Sequence, residues 1–264
     1  MPKRTCLFLL IAFGLLTHRP GCAQEQLTAR QIMERSLKSG DWKDMQSDMV
    51  MVLTNARGQQ RVRKLKFYAR KKNPDESSML MRFIEPADVR GTAFLIDEHK
   101  DADDDRYLYL PALRRINRIT ASGRGGNFMG SDFSYYDIGK PKLGDWTYRL
   151  LGEEEVDGHA CYKIECLPAS EQIRKDTKYS KIIRWIRKDI FTTVRAEFYD
   201  KDGELWKVLE VPEHEYIGGV WFATRMIMRD VQINHTSEMR FENLRINVGL
   251  KPSLFSPRSL RRRG

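Results

Sequence analysis

The sequence predicts a mainly β protein in which about a dozen strands form one large antiparallel sheet. From Met45 onward, apolar residues recur at every second position in many short segments, which is the period of strands with one buried face. Turns such as VDGH, DKDGE and YIGGV place Gly or Asp where the backbone must reverse. No long helical pattern lies between the segments, which argues against parallel crossovers. A sheet of this size must curl, close or fold onto a second layer, and a curled sheet has a concave face that must be filled.

The first 23 residues have the pattern of a secretory signal peptide. Two basic residues precede an apolar run, CLFLLIAFGLL, that is too short to span a bilayer, and small residues favour cleavage after Ala23. We therefore expect residues 1–23 to be the signal and residues 24–264 to form a single exported domain. Lipid attachment at Cys22 is the alternative, but Arg19 stands where a lipoprotein signal has an aliphatic residue.

Charge and cysteine content narrow the class of partner. The formal net charge is +10, or +7 without Lys3, Arg4 and Arg19 of the predicted signal, which favours approach to anionic membrane surfaces. Nucleic acid is not expected to be a partner of an exported protein. Cys161 and Cys166 are five residues apart, so a strand would point them to opposite faces, out of disulfide reach. We expect two buried apolar side chains there, with no metal and no cofactor, because no paired-Cys or paired-His motif accompanies them.

One amphipathic helix is predicted to precede the strands and to cover one side of the sheet. In LTARQIMERSLKSG, Thr28 is placed to cap the helix, Ile32, Met33 and Leu37 share one face, and Gly40 stops it. The first two strands form a hairpin, in which NARG turns the chain into QRVRKLKFYARK, and the tail LFSPRSLRRRG is expected to be frayed. The remaining predicted strands are SSMLMRFIEP, TAFLIDEH, RYLYLP, DWTYRLLGEEEV, ACYKIECLP, SKIIRWIRKD, TTVRAEFYD, ELWKVLEVPEH, VWFATRMIMRD and TSEMRFENLRIN.

Several strands carry flexible Met residues on one side, and what these residues face bears on the function. Met adapts to irregular partners, so the pattern fits either an ordinary packed core or an apolar cavity for acyl chains. The stretch NFMGSDFSYYDIG, residues 127–139, adds further apolar side chains around a Gly-Ser-Asp turn. The candidate cargo-binding residues are Met49, Met51, Met81, Phe83, Phe128, Met129, Phe133 and Tyr136.

Ser131 within this stretch is also a candidate nucleophile of a lipid esterase or phospholipase. Its surroundings, FMGSDF, do not form a G-x-S-x-G elbow, but histidines elsewhere in the chain leave hydrolysis open. Ser131 and Asp132 are alternatively predicted to cap a short helical turn, FSYYDI.

Three arginines upstream form a candidate contact for a lipid head group. Arg114, Arg115 and Arg118 in PALRRINRI are interleaved with apolar residues. Such a pattern suits a phospholipid head group and its tails, and it is equally compatible with a solvated cationic face.

Five runs that occur in order over most of residues 79–210 carry a family resemblance: RFIEPADVRGTAFLI, DDRYLYLPALRRINRI, FMGSDFSYYDI, VDGHACYKIECLP and DGELWKV. With them the chain resembles the outer membrane lipoprotein-sorting protein family, the LolA-like group of secreted lipid carriers. The resemblance implies a half-open antiparallel β-barrel (LolA/LppX-like) with a few helices covering its concave face. It also implies a non-enzymatic periplasmic carrier whose partners are acyl chains of lipids or lipoproteins, a membrane lipid-export pump and an outer-membrane acceptor.

In such a carrier, residues 127–139 are expected to be a lid over the barrel mouth, with Gly125, Gly126 and Gly130 as hinges. Two alternatives come from other classes of protein. One is the esterase with Ser131 as nucleophile, and the other is a structural subunit of an envelope complex, with a filled core and no cavity.

Overall fold

The computed structural model describes residues 27–38 and 42–262, so the predicted signal peptide, Cys22 and Gly40 lie outside the described residues. Within them, the strands are β1 (Asp44–Thr54), β2 (Gln60–Lys71), β3 (Ser77–Glu85), β4 (Ala93–Asp97), β5 (Asp105–Leu110), β6 (Arg115–Arg118), β7 (Trp146–Val156), β8 (His159–Pro168), β9 (Lys181–Arg187), β10 (Thr193–Tyr199), β11 (Leu205–Ile217), β12 (Val220–Asp230) and β13 (His235–Ile246).

These strands form one antiparallel sheet in the order β6-β5-β4-β3-β2-β1-β13-β12-β11-β10-β9-β8-β7. The sheet consists of two meanders, β1 to β6 and β7 to β13, which are joined by the pairing of β1 with β13. It does not close, because β6 and β7 are its two edges. The predicted fold class, a mainly β protein with one large antiparallel sheet in the form of a half-open barrel, is confirmed.

The helix α1 (Ala29–Leu37) begins at its predicted cap. The Thr28 hydroxyl accepts the N–H of Gln31 at 3.2 Å, and the Gln31 side chain accepts the N–H of Thr28 at 2.8 Å, which makes a capping box. Ile32 and Met33 are buried in the main core, so α1 covers the concave side of the sheet as predicted. No helix among the described residues is long and apolar enough to cross a membrane.

The chain crosses the concave side between the two edge strands, and this crossing contains α2 (Tyr135–Ile138). The helical turn was predicted, but its predicted cap, Ser131 or Asp132, is wrong. The true cap is Ser134, whose hydroxyl accepts the N–H of Asp137 at 3.1 Å while the Asp137 carboxylate accepts the N–H of Ser134 at 2.8 Å. This reciprocal pair satisfies two backbone donors at the start of the helix.

The end of the chain is packed, and the expectation of a frayed tail is wrong. Leu260 is fully buried, and the buried guanidinium of Arg82 donates to the carbonyl oxygens of Ser259 at 3.1 Å and of Leu260 at 3.2 Å. An arginine on β3 therefore fixes the C-terminal turn to the sheet. The sequence also did not predict a short helix, α3 (Glu171–Thr177), between β8 and β9.

The two cysteines of β8 are free and buried. Cys166 belongs to the main core, whereas Cys161 belongs to a separate cluster with Trp185 and Val194. The two side chains therefore lie on opposite faces of the strand, as predicted. Burial raises the pKa of the Cys166 thiol to about 11, so this group behaves as a small apolar side chain.

Candidate functional site

The eight predicted cargo residues lie together on the concave face, and they are packed against one another. Phe128 packs against Phe83 and Phe94, with ring centroids 6.2 and 5.1 Å apart. Seven of the eight residues are buried, while Met129 is half-buried and its carbonyl oxygen accepts a hydrogen bond from Arg63. In this conformation the group fills the concave face, so its role in cargo binding stays a prediction.

Residues 127–139, which we term the plug, are anchored to β13 by a buried carboxylate. Asp132 is only 2% exposed and accepts hydrogen bonds from the Ser237 hydroxyl at 2.6 Å and from His235 Nδ1 at 2.7 Å. The N–H of Asp132 donates to Ser237 Oγ at 2.9 Å. Because a buried carboxylate is costly without such partners, this anchor favours the packed position of the plug.

Two tyrosines hold the helical end of the plug. The hydroxyl oxygen of Tyr136 accepts the indole N–H of Trp146 at 2.6 Å, and the Tyr179 hydroxyl donates to Asp137 at 2.8 Å. Burial raises the pKa of both Tyr136 and Tyr179, so both hydroxyls keep their protons at neutral pH. The plug is thus fixed by polar bonds at Asp132 and Asp137 as well as by apolar packing.

The three glycines predicted as hinges differ in their surroundings. A Cβ on Gly125 would lie 2.7 Å from the carbonyl oxygen of Asp176, so Gly125 permits a close approach to α3. A Cβ on Gly126 would lie 3.2 Å from the carbonyl oxygen of Gly123. Gly130 is exposed and has a φ of +74°, with open space around it. Of the three, Gly130 alone combines a left-handed backbone with room to move.

Ser131 is not arranged as a nucleophile. It is fully buried, and its hydroxyl donates to the carbonyl oxygen of Phe128 at 2.7 Å. In the adjacent anchor, the Ser237 hydroxyl donates to the carboxylate of Asp132 and not to a ring nitrogen of His235. A serine nucleophile needs its hydroxyl bonded to an imidazole that the carboxylate orients from the other side. This geometry gives the esterase interpretation no support.

A buried lysine that the sequence patterns did not single out lies in the same region. Lys207 is fully buried, and its Nζ has no hydrogen-bond partner within the described part of the chain. Its ammonium group lies 4.1 Å from the ring centroid of Trp206 and 5.7 Å from that of Tyr179. Burial lowers the pKa of Lys207. The alternation of β11 could have predicted this burial, because Leu205, Lys207 and Leu209 share one face of the strand.

Many apolar side chains that pack against the main core are only half-buried, and five of them lie on three neighbouring strands. These five residues belong to β11, β12 and β13, whereas the predicted cargo residues belong to β1, β3 and the plug. The alternation of these strands predicts their face, but their exposure depends on how far the plug and α1 extend. Where such side chains adjoin one another on neighbouring strands, they form a candidate surface for an apolar ligand. We term this group the apolar strip: Leu209, Phe222, Met226, Phe241 and Leu244.

A separate cleft of about 1580 Å³ opens between α1, the loop after β4 and residues 140–145. Charged side chains of both signs dominate its lining, including Lys43, Arg70 and Glu98, and none of the eight predicted cargo residues lines it. Glu98 is buried and accepts the Ser77 hydroxyl at 2.6 Å, and burial raises the pKa of this carboxyl. Most residues that line this cleft are charged, whereas all eight predicted cargo residues are apolar.

The three predicted head-group arginines lie at the edge of the sheet. Arg114, Arg115 and Arg118 are exposed, on β6 and in the turn before it, and Arg118 pairs with Asp105 at 2.5 Å. They do not line the cleft beside α1, and they lie outside the apolar strip. The structure therefore does not bring them to the predicted cargo residues, and head-group contact stays a prediction.

Comparison with known structures defines the class of protein. A domain designated outer membrane lipoprotein-sorting protein from Vibrio parahaemolyticus is 31% identical, with a TM-score of 0.82 over 89% of this chain and 98% of that chain. A DUF1329 family protein from Desulfovibrio piger ATCC 29098 is 33% identical, with a TM-score of 0.81 over 88% and 97% of the two chains. A LolA superfamily protein from Nitrosomonas europaea, 21% identical, has the same fold, with a TM-score of 0.68 over 89% and 100%.

A family model described as "Uncharacterized protein" matches residues 75–262, and no curated protein matches the chain. The half-barrel and the likeness to the Nitrosomonas europaea protein show that the fold is LolA-like. The chain belongs to the outer membrane lipoprotein-sorting protein family, as its five sequence runs predicted.

Proposed function

We propose that this protein is a periplasmic carrier that holds acyl chains of lipids or lipoproteins on its concave face and passes them to or from the outer membrane. The observation that carries the proposal is the apolar strip, which leaves apolar surface half-exposed inside an open half-barrel. The family supports it, because a relative 31% identical to this chain is designated a lipoprotein-sorting protein domain. Carriage of this kind requires no chemical step.

The plug gives the carrier a second part of its binding surface. An acyl chain first lies along the apolar strip, and displacement of the plug then extends the surface to the eight predicted cargo residues. Each buried CH₂ contributes roughly 0.8 kcal/mol, so a long acyl chain gains on the order of 10 kcal/mol on leaving water. Breaking the Asp132 anchor costs about 3–5 kcal/mol. The gain exceeds the cost of the anchor alone, and displacement of the plug further requires the acyl chain to replace the apolar packing of Phe128, Phe133 and Tyr136.

Export and transfer complete the proposal. Residues 1–23 direct export as a signal peptide, and residues 24–264 act as one carrier domain. Release requires an acceptor that is as apolar as the strip, which an outer-membrane acceptor or a membrane lipid-export pump provides. Arg114, Arg115 and Arg118 contact the head group from the exposed edge of the sheet.

The test is the identification of bound lipid. Residues 24–264 are purified without detergent, extracted with organic solvent and analysed by mass spectrometry. A stoichiometric phospholipid or lipoprotein acyl species supports the carrier and identifies its cargo class. A clean extract, repeated after incubation with envelope lipids, contradicts the carrier and favours the structural subunit.

Matched variants locate the cargo. Phe222→Asp places a charge on the half-buried strip and is expected to reduce bound lipid at least about tenfold. Val62→Asp is the control, because Val62 is 47% exposed and lies outside the strip. Met129→Asp tests the plug, whereas Phe133→Asp would place a carboxylate in the core, where Phe133 is 3% exposed. Equal lipid retention in Phe222→Asp and Val62→Asp would exclude the strip as the binding surface.

Ser131→Ala separates the carrier from the esterase. The variant removes the hydroxyl that bonds to the carbonyl oxygen of Phe128. A carrier keeps its bound lipid in this variant. Hydrolysis of the co-purified lipid by the wild type, lost in Ser131→Ala, would establish an esterase instead.

A further inference from the structure

The turn between β11 and β12 carries two large aromatic side chains that the core does not cover. Tyr216 is 61% exposed and Trp221 is 42% exposed, and their ring centroids are 5.2 Å apart. Val220 and Phe222, which flank Trp221, pack against the core of the concave face. Trp221 therefore points to the outer face. We term residues 216–221 the aromatic turn.

The aromatic turn lies at the end of the sheet where the apolar strip also ends. Phe222 of the strip directly follows Trp221 in the chain. A Cβ on Gly218 would lie 2.0 Å from Ile246 Cδ1, so the turn closely covers the end of β13. Ile246 in turn pairs with Met45 at the start of β1. An acyl chain that leaves the strip at this end passes the aromatic turn.

Basic side chains surround the same strand ends. Lys43, Arg245 and Lys251 are exposed. The nearby Asp44 carboxylate is buried and accepts backbone N–H groups of residues 248–250. Two acid-rich segments share this end of the sheet: the turn between β7 and β8, and the loop after β4, which lines a cleft together with Lys43 and Lys251. Both β7 and β4 are five strands from β12. An anionic surface is therefore expected to meet the aromatic turn and not the acidic segments.

We propose that the aromatic turn docks the protein on a phospholipid membrane that contains anionic lipids. The rings of Tyr216 and Trp221 lie at the level of the head groups, where amphipathic aromatic rings are enriched. Three exposed bases face the lipid phosphates, whereas the same hairpin has two exposed acids, Glu215 and Glu213, of which Glu213 pairs with Arg225 at 3.1 Å. This proposal rests on the carrier function, since a membrane at the end of the strip lets an acyl chain enter the bilayer without crossing water.

The test measures partition of residues 24–264 into vesicles of phosphatidylethanolamine and phosphatidylglycerol. The double variant Tyr216→Ser/Trp221→Ser removes both rings, and Val231→Ser/Ile233→Ser is the matched control. Val231 and Ile233 are 47% and 61% exposed, and they lie in the turn at the opposite end of β12. We expect the first variant to lower the partition coefficient at least about tenfold and the control to lower it less than about twofold.

Fluorescence quenching by phospholipids with brominated acyl chains gives a second measurement. Trp42, Trp146 and Trp185 are buried, Trp206 is half-buried against the main core, and Trp221 is exposed. Quenching on vesicle addition is therefore expected to come mainly from Trp221 and to be largely lost in Trp221→Phe. All variants change exposed positions, so unchanged melting temperatures are expected and are to be checked.

The outcomes separate docking from carriage. Vesicle binding that falls in Tyr216→Ser/Trp221→Ser while co-purified lipid is retained supports docking by this turn. Absence of vesicle binding by the wild type, or an equal loss in Val231→Ser/Ile233→Ser, overturns it even if lipid co-purifies. Self-association that depends on the two rings, without vesicle binding, would assign the surface to a second copy and also overturn it. Vesicle binding without any co-purified lipid would contradict the carrier alone.

Discussion

Asp132→Ala is predicted to release the plug and leave the sheet folded. The substitution removes a carboxylate that is 2% exposed and leaves the fully buried Ser237 hydroxyl without its acceptor. A buried hydroxyl without a partner costs about 1–3 kcal/mol, and a lost hydrogen bond to a charged group costs about 1.5–3 kcal/mol. Since His235 also loses its carboxylate partner, we expect a total of about 3–5 kcal/mol, as for other broken buried pairs.

Hydrogen exchange measures which segments of the protein this loss of free energy destabilises. The N–H of Phe128 bonds to the carbonyl oxygen of Phe133 at 2.7 Å, and that of Tyr136 bonds to the carbonyl oxygen of Arg124 at 2.8 Å, so both amides report on the plug. A loss of 3 kcal/mol corresponds to about a 100-fold faster exchange by local opening. Amides in β1 and β2 are expected to change much less. Lipid uptake is also expected to become faster, because the plug is easier to displace.

The control is Asp202→Ala, which removes a carboxylate 65% exposed that pairs with Lys201, itself 75% exposed. Such a surface pair contributes about 0–1 kcal/mol, so plug exchange should remain unchanged. Plug amides that exchange as slowly in Asp132→Ala as in the wild type would show that the Asp132 anchor does not hold the plug. Equal acceleration throughout the sheet would show that the anchor supports the whole fold and not the plug in particular.

Two further predictions concern buried ionisable groups. Burial raises the pKa of the Glu98 carboxyl above its ordinary value of 4.5, so the native state binds the carboxyl proton more tightly than the unfolded chain does. The free energy of unfolding therefore falls as the pH rises above 4.5. Glu98→Gln is expected to remove this fall in urea unfolding between about pH 4 and 8. Burial lowers the pKa of Lys207 below its ordinary value of 10.5, so the unfolded chain binds this proton more tightly than the native state does. The free energy of unfolding of the wild type therefore increases as the pH rises towards 10.5. Lys207→Met is expected to be more stable at neutral pH by about 1 kcal/mol, because removing a desolvated amine outweighs losing its contact with Trp206.

A different result in either variant would contradict the corresponding prediction. A difference between Glu98→Gln and the wild type that does not vary with pH would show that burial of the carboxyl is not the cause. Destabilisation of Lys207→Met by more than about 2 kcal/mol would show that the ammonium group is well compensated by nearby carboxylates.

Strand patterns predicted most of the sheet, because alternation and turn chemistry are local properties. The two predicted strands around NARG became β1 and β2, and the cap at Thr28 holds as predicted. β6 was not predicted as a strand, because RINR has only four residues, and its single apolar residue, Ile116, gives no alternation. α3 was also missed, although Ser170 caps it and Ile173 lies on its inner side, because a helix of seven residues gives a weak pattern.

The candidate site was predicted less well, because burial depends on what covers a face. The face of Met49, Met51 and Phe83 follows from strand alternation, but their complete burial results from the plug, which packs onto them. Phe222 and Phe241 have the same kind of pattern, yet they remain half-exposed because less of the chain covers them. The sequence pattern describes both groups alike, and only the packed structure distinguishes them.

Local patterns were enough to predict most strands and turns along the chain, and recognisable runs were enough to predict the family. Tertiary structure decided two other matters: the pairing of Met45 with Ile246, which joins the two meanders, and the bond between Asp132 and Ser237, which are 105 residues apart. The physical reason is that such contacts must overcome the entropy of closing a long loop. Their free energy comes from the apolar surface that the whole sheet buries at once, which no local pattern contains.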